Sequence, residues 1–300
     1  MDDATRNEIE RVSWNTLREA GIVRPPVRIE TVLEHLHLHR DFYDLQNPSF
    51  LDRAKHKIKV HGHRLVDMLQ SVKLVAVLLY DENRIVVDSD LPEIKRDFPS
   101  FHETAHRIFV WHRPFFYGDT AQTLDPDWHE QLEAEANYGA SALMFCGPVF
   151  TREALDTSAE WSSVAAMKER YRKSFVTTLR RYVEHSHDHP MAMLVSTPCW
   201  KETPADQPER WRHFVRSSRF ASEFASTAAE DLVKAVDANL FERFTGSVTD
   251  FTYCLTDNNG NRHEFAVECF DNSYYILTLF VELRRLDTTH IVLPASVMES

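Results

Sequence analysis

Residues 101–109 read Phe101-His102-Glu103-Thr104-Ala105-His106-Arg107-Ile108-Phe109, and the His102-Glu103-x-x-His106 inside them constrains the fold more than any other stretch. On an α-helix, positions four apart stand one turn above another on a single face. Two imidazoles so placed can close on one Zn²⁺, and Glu103 stands where a general base acts on water. A hydrolytic zinc site usually takes three protein ligands and keeps one position open. The chain must therefore bring a third ligand to this helix from elsewhere.

Two residues offer that ligand. His112 gives the spacing His102-Glu103-x-x-His106-x-x-Phe109-x-x-His112, which matches the metzincin pattern. That pattern needs a glycine for a sharp turn where this chain has Phe109. Glu133 lies in Leu132-Glu133-Ala134-Glu135-Ala136-Asn137-Tyr138-Gly139-Ala140, a helix-forming stretch whose small residues allow close packing on the first helix. Glu133 and Asn137 share a face, so Glu133 can ligate while Asn137 orients the free ring N–H of a ligating histidine. The missing turn glycine favours Glu133. Glu135 projects elsewhere and Glu130 lies one turn back. Tyr117, His129 and Tyr138 remain open as donors to a developing oxyanion.

The length, 300 residues, suits one large domain or two moderate ones. There are 46 acidic against 34 basic residues, a net charge of −12, so direct nucleic-acid binding is not expected. The four cysteines form no C-x-x-C pair and read as buried free thiols rather than a zinc knot. The N-terminus lacks an apolar signal segment, and the longest apolar run, 74–80, is too short to span a membrane. A cytoplasmic location is the expectation.

Along the chain, 5–22 reads as an amphipathic helix stopped by Pro25-Pro26, and 28–38 as a second helix running into a strand. Segments 72–80 and 84–87 suggest a hairpin around Asp81-Glu82-Asn83. Pro92 and Pro99 bracket a lead into the His102 helix, 113–127 is a loop, and the next helix ends at Gly147-Pro148. Residues 150–185 read as helical, 190–208 with its four prolines as a linker, and 209–244 as helical again. Strands follow at 251–255, 263–270 and 274–283, the first two around an Asn-Gly turn. His61-Gly62-His63 and the run from His185 to His189 read as solvated loops. Arg170, Arg172, Lys173, Arg180 and Arg181 read as a solvated face paired with nearby Glu; the sharper reading is a docking surface for a DNA-bound repressor. The expected fold class is α+β: a mainly helical, zincin-like peptidase core with a small sheet, then a helical segment and a C-terminal β-meander.

Three ordered motifs in residues 5–150 make the chain resemble the ImmA/IrrE metallopeptidases, which are gluzincin-like. They are Gly21-Ile22-Val23-Arg24-Pro25-Pro26-Val27-Arg28-Ile29-Glu30-Thr31-Val32, then Arg96-Asp97-Phe98 ahead of His102–His106, then the Glu133–Ala140 helix with Leu143-Met144. The chain departs from the family pattern at Thr104-Ala105 in place of Leu-Gly, at Gly139 in place of Phe, and at Phe145. The resemblance implies a metallopeptidase domain at 1–150, with Zn²⁺ on His102, His106 and Glu133 and with Glu103 catalytic. It implies a helical extension at 151–200 and leaves 201–300 as an α+β region for sensing or partner binding. It further implies a cytoplasmic, site-specific zinc endopeptidase that cleaves a helix-turn-helix transcriptional repressor and so relieves repression. The competing expectation is a regulatory binding protein with a structural or vestigial metal site and a C-terminal sensing module.

Overall fold

In the computed structural model, which describes residues 1–44, 75–114, 126–185, 189–203, 207–240 and 246–286, helix α1 (Asp3–Glu19) starts where the chain supplies a cap. The Asp2 carboxylate accepts a hydrogen bond from the Thr5 N–H at 2.7 Å, satisfying one of the orphan donors of the first turn. The fold is α+β and divides into two compact units, Met1–Phe150 and Thr151–Ser300. Tyr117 and the rest of 115–125, His61-Gly62-His63 and residues 186–188 lie outside the described residues.

The first unit continues with α2 (Ile29–His35), β1 (His39–Tyr43), β2 (Ala76–Leu79), β3 (Arg84–Asp88), α3 (Glu93–Ile108) and α4 (Pro126–Met144); α5 (Pro148–Leu155) follows, with Thr151–Leu155 belonging to the second unit. Strand β3 is central, parallel to β1 and antiparallel to β2. Its Ile85, Val86 and Val87 are all buried, as a continuous apolar run covered on both faces must be. The β2–β3 connection turns through Asn83 in the left-handed region at φ 49°, a conformation asparagine tolerates. Arg107 of α3 donates to Asn83 Oδ1 at 2.9 Å and lies 4.4 Å over the Tyr80 ring. These contacts tie the end of α3 to the hairpin.

Helix α3 runs through Pro99 rather than beginning after it. Proline has no N–H to give the carbonyl four residues back and crowds it, which usually ends a helix. Here packing prevails: Phe101, Ala105 and Phe109 are fully buried, and Ala105 and Phe109 cluster with Ile9 of α1 and Ala136 of α4.

Gly139 explains how closely α3 and α4 approach. A Cβ at this position would lie 2.7 Å from Phe109 Cε2 and 3.1 Å from Ala105 Cβ. The Phe109 ring cannot yield freely, being fully buried and stacked on Trp111 with centroids 4.9 Å apart. The glycine thus makes room for the aromatic ring that follows the His102–His106 segment.

The second unit holds α6 (Trp161–Tyr171), α7 (Phe175–His185), β4 (Met191–Ser196), β5 (Trp211–Arg216), α8 (Ser218–Glu223), α9 (Ala229–Asn239), β6 (Val248–Thr256), β7 (Arg262–Asp271) and β8 (Ile276–Leu286). Its sheet has the order β5-β4-β8-β7-β6, with every neighbouring pair antiparallel. Strands β6 to β8 form the expected meander. Phe265, Val267 and Cys269 of β7 face a core shared with α8 and α9 residues, among them Phe220, Leu232 and Val236. Phe270, on the opposite face by alternation, packs on the rings of Trp161 and Phe175 from α6 and α7.

Three sequence expectations need correction here. The linker expected at 190–208 contains β4, whose six residues are all buried. Pro190 and Pro198 flank this strand instead of breaking it, and a strand covered on both faces shows no alternation to read. The helix expected across 209–244 is instead β5 followed by α8 and α9. The four cysteines are not all buried, since Cys199 and Cys254 are exposed. The basic stretch agrees in part with a solvated face paired with Glu: exposed Arg170 pairs with Glu153 and exposed Arg180 with Glu184, whereas Arg181 is buried.

Gly139→Ala gains about 1 kcal/mol of helix propensity but forces overpacking worth about 1–3 kcal/mol. The overpacking is expected to win, with a fall in thermal midpoint measured by circular dichroism. Cys199 and Cys254 should react with a thiol reagent in the native protein, whereas Cys146 and Cys269 should require denaturant. Burial pushes the Cys269 thiol up to about 12 and so removes its thiolate.

Candidate metal centre

Helix α3 carries His102, Glu103 and His106, and α4 carries Glu133 and Asn137. Because α3 and α4 meet through Ala105, Ala136 and Gly139, the side chains at the same level converge. His102 Nε2 lies 3.2 Å from Glu133 Oε2, and His106 Nε2 lies 3.4 Å from Glu133 Oε1. The two histidine Nε2 atoms are 3.1 Å apart. One ligand atom from each of the three residues falls within 4.8 Å of the others. Two imidazole nitrogens and a carboxylate oxygen are the donor set of a catalytic zinc site with three protein ligands, so the residues present fit that ion.

The structure gathers Glu133, and not His112, to the histidine pair. His112 is fully buried in the single turn Val110–His112, and both its ring nitrogens are engaged. Its Nδ1 is 2.9 Å from His106 Nδ1 and its Nε2 is 3.1 Å from Glu135 Oε2. Asn137 Oδ1 lies 3.1 Å from His102 Nδ1, where it accepts the ring N–H. Of the oxyanion candidates, Tyr138 donates to Glu10 at 3.1 Å and so points toward α1. His129 stands one turn before Glu133 on the same helical face. A second group, Asp44, Asp88 and Asp90, is all carboxylate and takes no part in this site.

Sequence reasoning passed over Glu135 and Trp111. Glu135 is buried, accepting from Trp111 Nε1 at 2.7 Å, from Gln131 Nε2 at 2.7 Å and from His112. The signal available was the spacing of His112 and of an acid two residues past Glu133. That spacing is meaningful only once α4 is known to lie against the turn after α3.

The cluster's electrostatics follow from burial opposed by pairing. Burial acts to raise Glu133, but its hydrogen bonds to His102 and His106 outweigh that and hold it well below the usual carboxylate range. Burial brings His106 down to about 4, keeping it neutral, the form that ligates metal. Burial also works against a charged His102, yet Glu133 and Glu103 more than offset it and leave that ring raised. Two adjacent rings cannot both hold a proton cheaply, and the two shifts run in opposite directions, His106 down and His102 up. Burial pushes the Glu103 carboxyl up to about 7, with the His102 ring opposing, which places it in the range useful for proton transfer. For Glu135, burial again raises, and the donors His112, Gln131 and Trp111 prevail and lower it.

No protein-family model matches this chain, and no curated protein does. Among solved structures, the chain is similar to a transcriptional regulator of Mycobacterium tuberculosis. The TM-score is 0.52 at 10% identity, with 96% of this chain and 94% of that one covered. Such a likeness speaks to the fold alone.

The site generates a metal prediction. The protein should bind about one Zn²⁺ per chain, measured by plasma emission after dialysis. Glu133→Ala and His102→Ala should lose it, and Asn137→Ala should bind about 10-fold more weakly. Affinity should fall as the pH is lowered through the histidine range, because protons compete with the metal for the imidazole nitrogens and the surroundings of His102 favour its proton.

Proposed function

We propose that this chain is a zinc-dependent, site-specific endopeptidase whose substrate is a helix-turn-helix transcriptional repressor, cleaved in the cytoplasm to relieve repression. The observation that carries this reading is the convergence of His102, His106 and Glu133 beside a carboxyl, Glu103, raised to about 7. When bound, zinc supplies a Lewis acid that acidifies water and polarises a carbonyl. Glu103 takes a proton from the attacking water and delivers it to the leaving amine. Asn137 holds the His102 ring in place. The Leu78 backbone N–H donates to Glu103, which sets the base against β2. Among the described residues β2 is an edge strand, so a peptide extended along it would run past Glu103.

The substrate class rests on the resemblance to the ImmA/IrrE metallopeptidases. In this reading residues 1–150 form the peptidase domain, 151–200 a helical extension and 201–300 a sensing or partner-binding region. A second reading draws on the neighbour's name as a transcriptional regulator and on a likeness that spans both units. In it the metal site is structural or vestigial and the protein regulates by binding.

The test compares zinc-loaded wild type with Glu103→Gln on a proteome-derived peptide library read by mass spectrometry. Cleavage at a restricted set of bonds is expected from the wild type. Glu103→Gln should keep its zinc and lose about 10²–10⁴-fold in rate. An inert loaded wild type, or an unimpaired Glu103→Gln, favours the binding-protein reading.

A further inference from the structure

We propose that His112 and Glu135 are positioning residues that fix the tautomer and ring orientation of His106. The inference rests on the reading of His102, His106 and Glu133 as a zinc site. His106 presents Nε2 to Glu133 and to His102, at 3.4 and 3.1 Å, so Nε2 is the nitrogen available to a metal. A neutral imidazole ligating through Nε2 carries its proton on Nδ1. That Nδ1 is 2.9 Å from Nδ1 of His112. Two ring nitrogens at this distance share one proton, so His112 Nδ1 accepts. The proton of His112 then sits on Nε2, which faces Glu135 Oε2 at 3.1 Å. Each choice compels the next.

The carboxylate at the end of the line is itself held. Trp111 Nε1 donates to Oε2 and Gln131 Nε2 donates to Oε1, each at 2.7 Å. His112 is fully buried and Glu135 is 1% exposed, so water cannot readily replace either partner. Trp111 also stacks on Phe109, the ring that fills the space beside Gly139. The helix contact that brings Glu133 to the histidines therefore also braces the support behind His106. A ligand held this way stays ordered before metal arrives, which raises affinity.

The test uses the full chain as wild type, His112→Leu, His112→Asn and Glu135→Gln. Zinc affinity is read by competition with a chromophoric chelator, alongside the visible spectrum with Co²⁺ and thermal unfolding. Asparagine offers Oδ1 where His112 Nδ1 stands and keeps an acceptor for His106, whereas leucine offers none. Glu135→Gln keeps the shape but sets an NH₂ group against a donor.

His112→Leu and Glu135→Gln should bind zinc about 10–100-fold more weakly. They should still reach wild-type stoichiometry at saturation and keep the Co²⁺ band positions, because the ligands are unchanged. His112→Asn should recover most of the loss. Wild-type affinity in both His112→Leu and Glu135→Gln overturns the proposal, as does a His112→Asn no better than His112→Leu. If His112→Leu does not fold, Glu135→Gln and His112→Asn decide on the same readouts. A wild type that binds no zinc removes the metal reading and this proposal with it; tight binding with indifferent variants removes this proposal alone.

Discussion

Everything proposed for the first unit depends on how near two helices can come. An α3–α4 contact made through Ala105, Ala136 and Gly139 sets the level at which Glu133 meets His102 and His106. Close approach of helices requires small residues at the crossing, because a packed interior leaves few gaps larger than a water molecule. Three polar side chains then converge in a partly buried place where each alone would be costly. Their mutual pairing offsets that cost: Glu133 holds its charge, His106 stays neutral, and His102 is shifted toward its protonated form.

Much of this was legible in the residues. Four-residue spacing on a helix put His102 and His106 on one face, and the same rule linked Glu133 to Asn137. The missing glycine at Phe109 argues against a turn that would make His112 a ligand; His112 lies behind His106 with its nitrogens turned to His106 and Glu135. The support behind the site was not legible. Glu135 faces a different partner from Glu133, and only the path of the chain from Phe109 to His112 reveals which.

The second unit was harder to read, and for a physical reason. A strand such as β4, buried on both faces, loses the alternation that marks a half-exposed strand, and its flanking prolines resemble a linker. The hairpin of β6 and β7, buried on alternate positions, keeps its alternation and its turn around Asn259-Gly260, and both are legible in the residues. The basic residues near 170–181 were open to two readings. Their pairing with Glu153 and Glu184, and the burial of Arg181, leave less free charge on that surface than the sequence suggests.

The Gly139–Phe109 contact carries one more consequence. Volume at these two positions is traded across the helix interface: the absent side chain on α4 is occupied by an aromatic ring from the segment after α3. A larger residue at 139 is then tolerable only if 109 shrinks, and shrinking 109 withdraws the platform under Trp111. The two positions should therefore drift together over generations, each change on one helix answered by its opposite on the other.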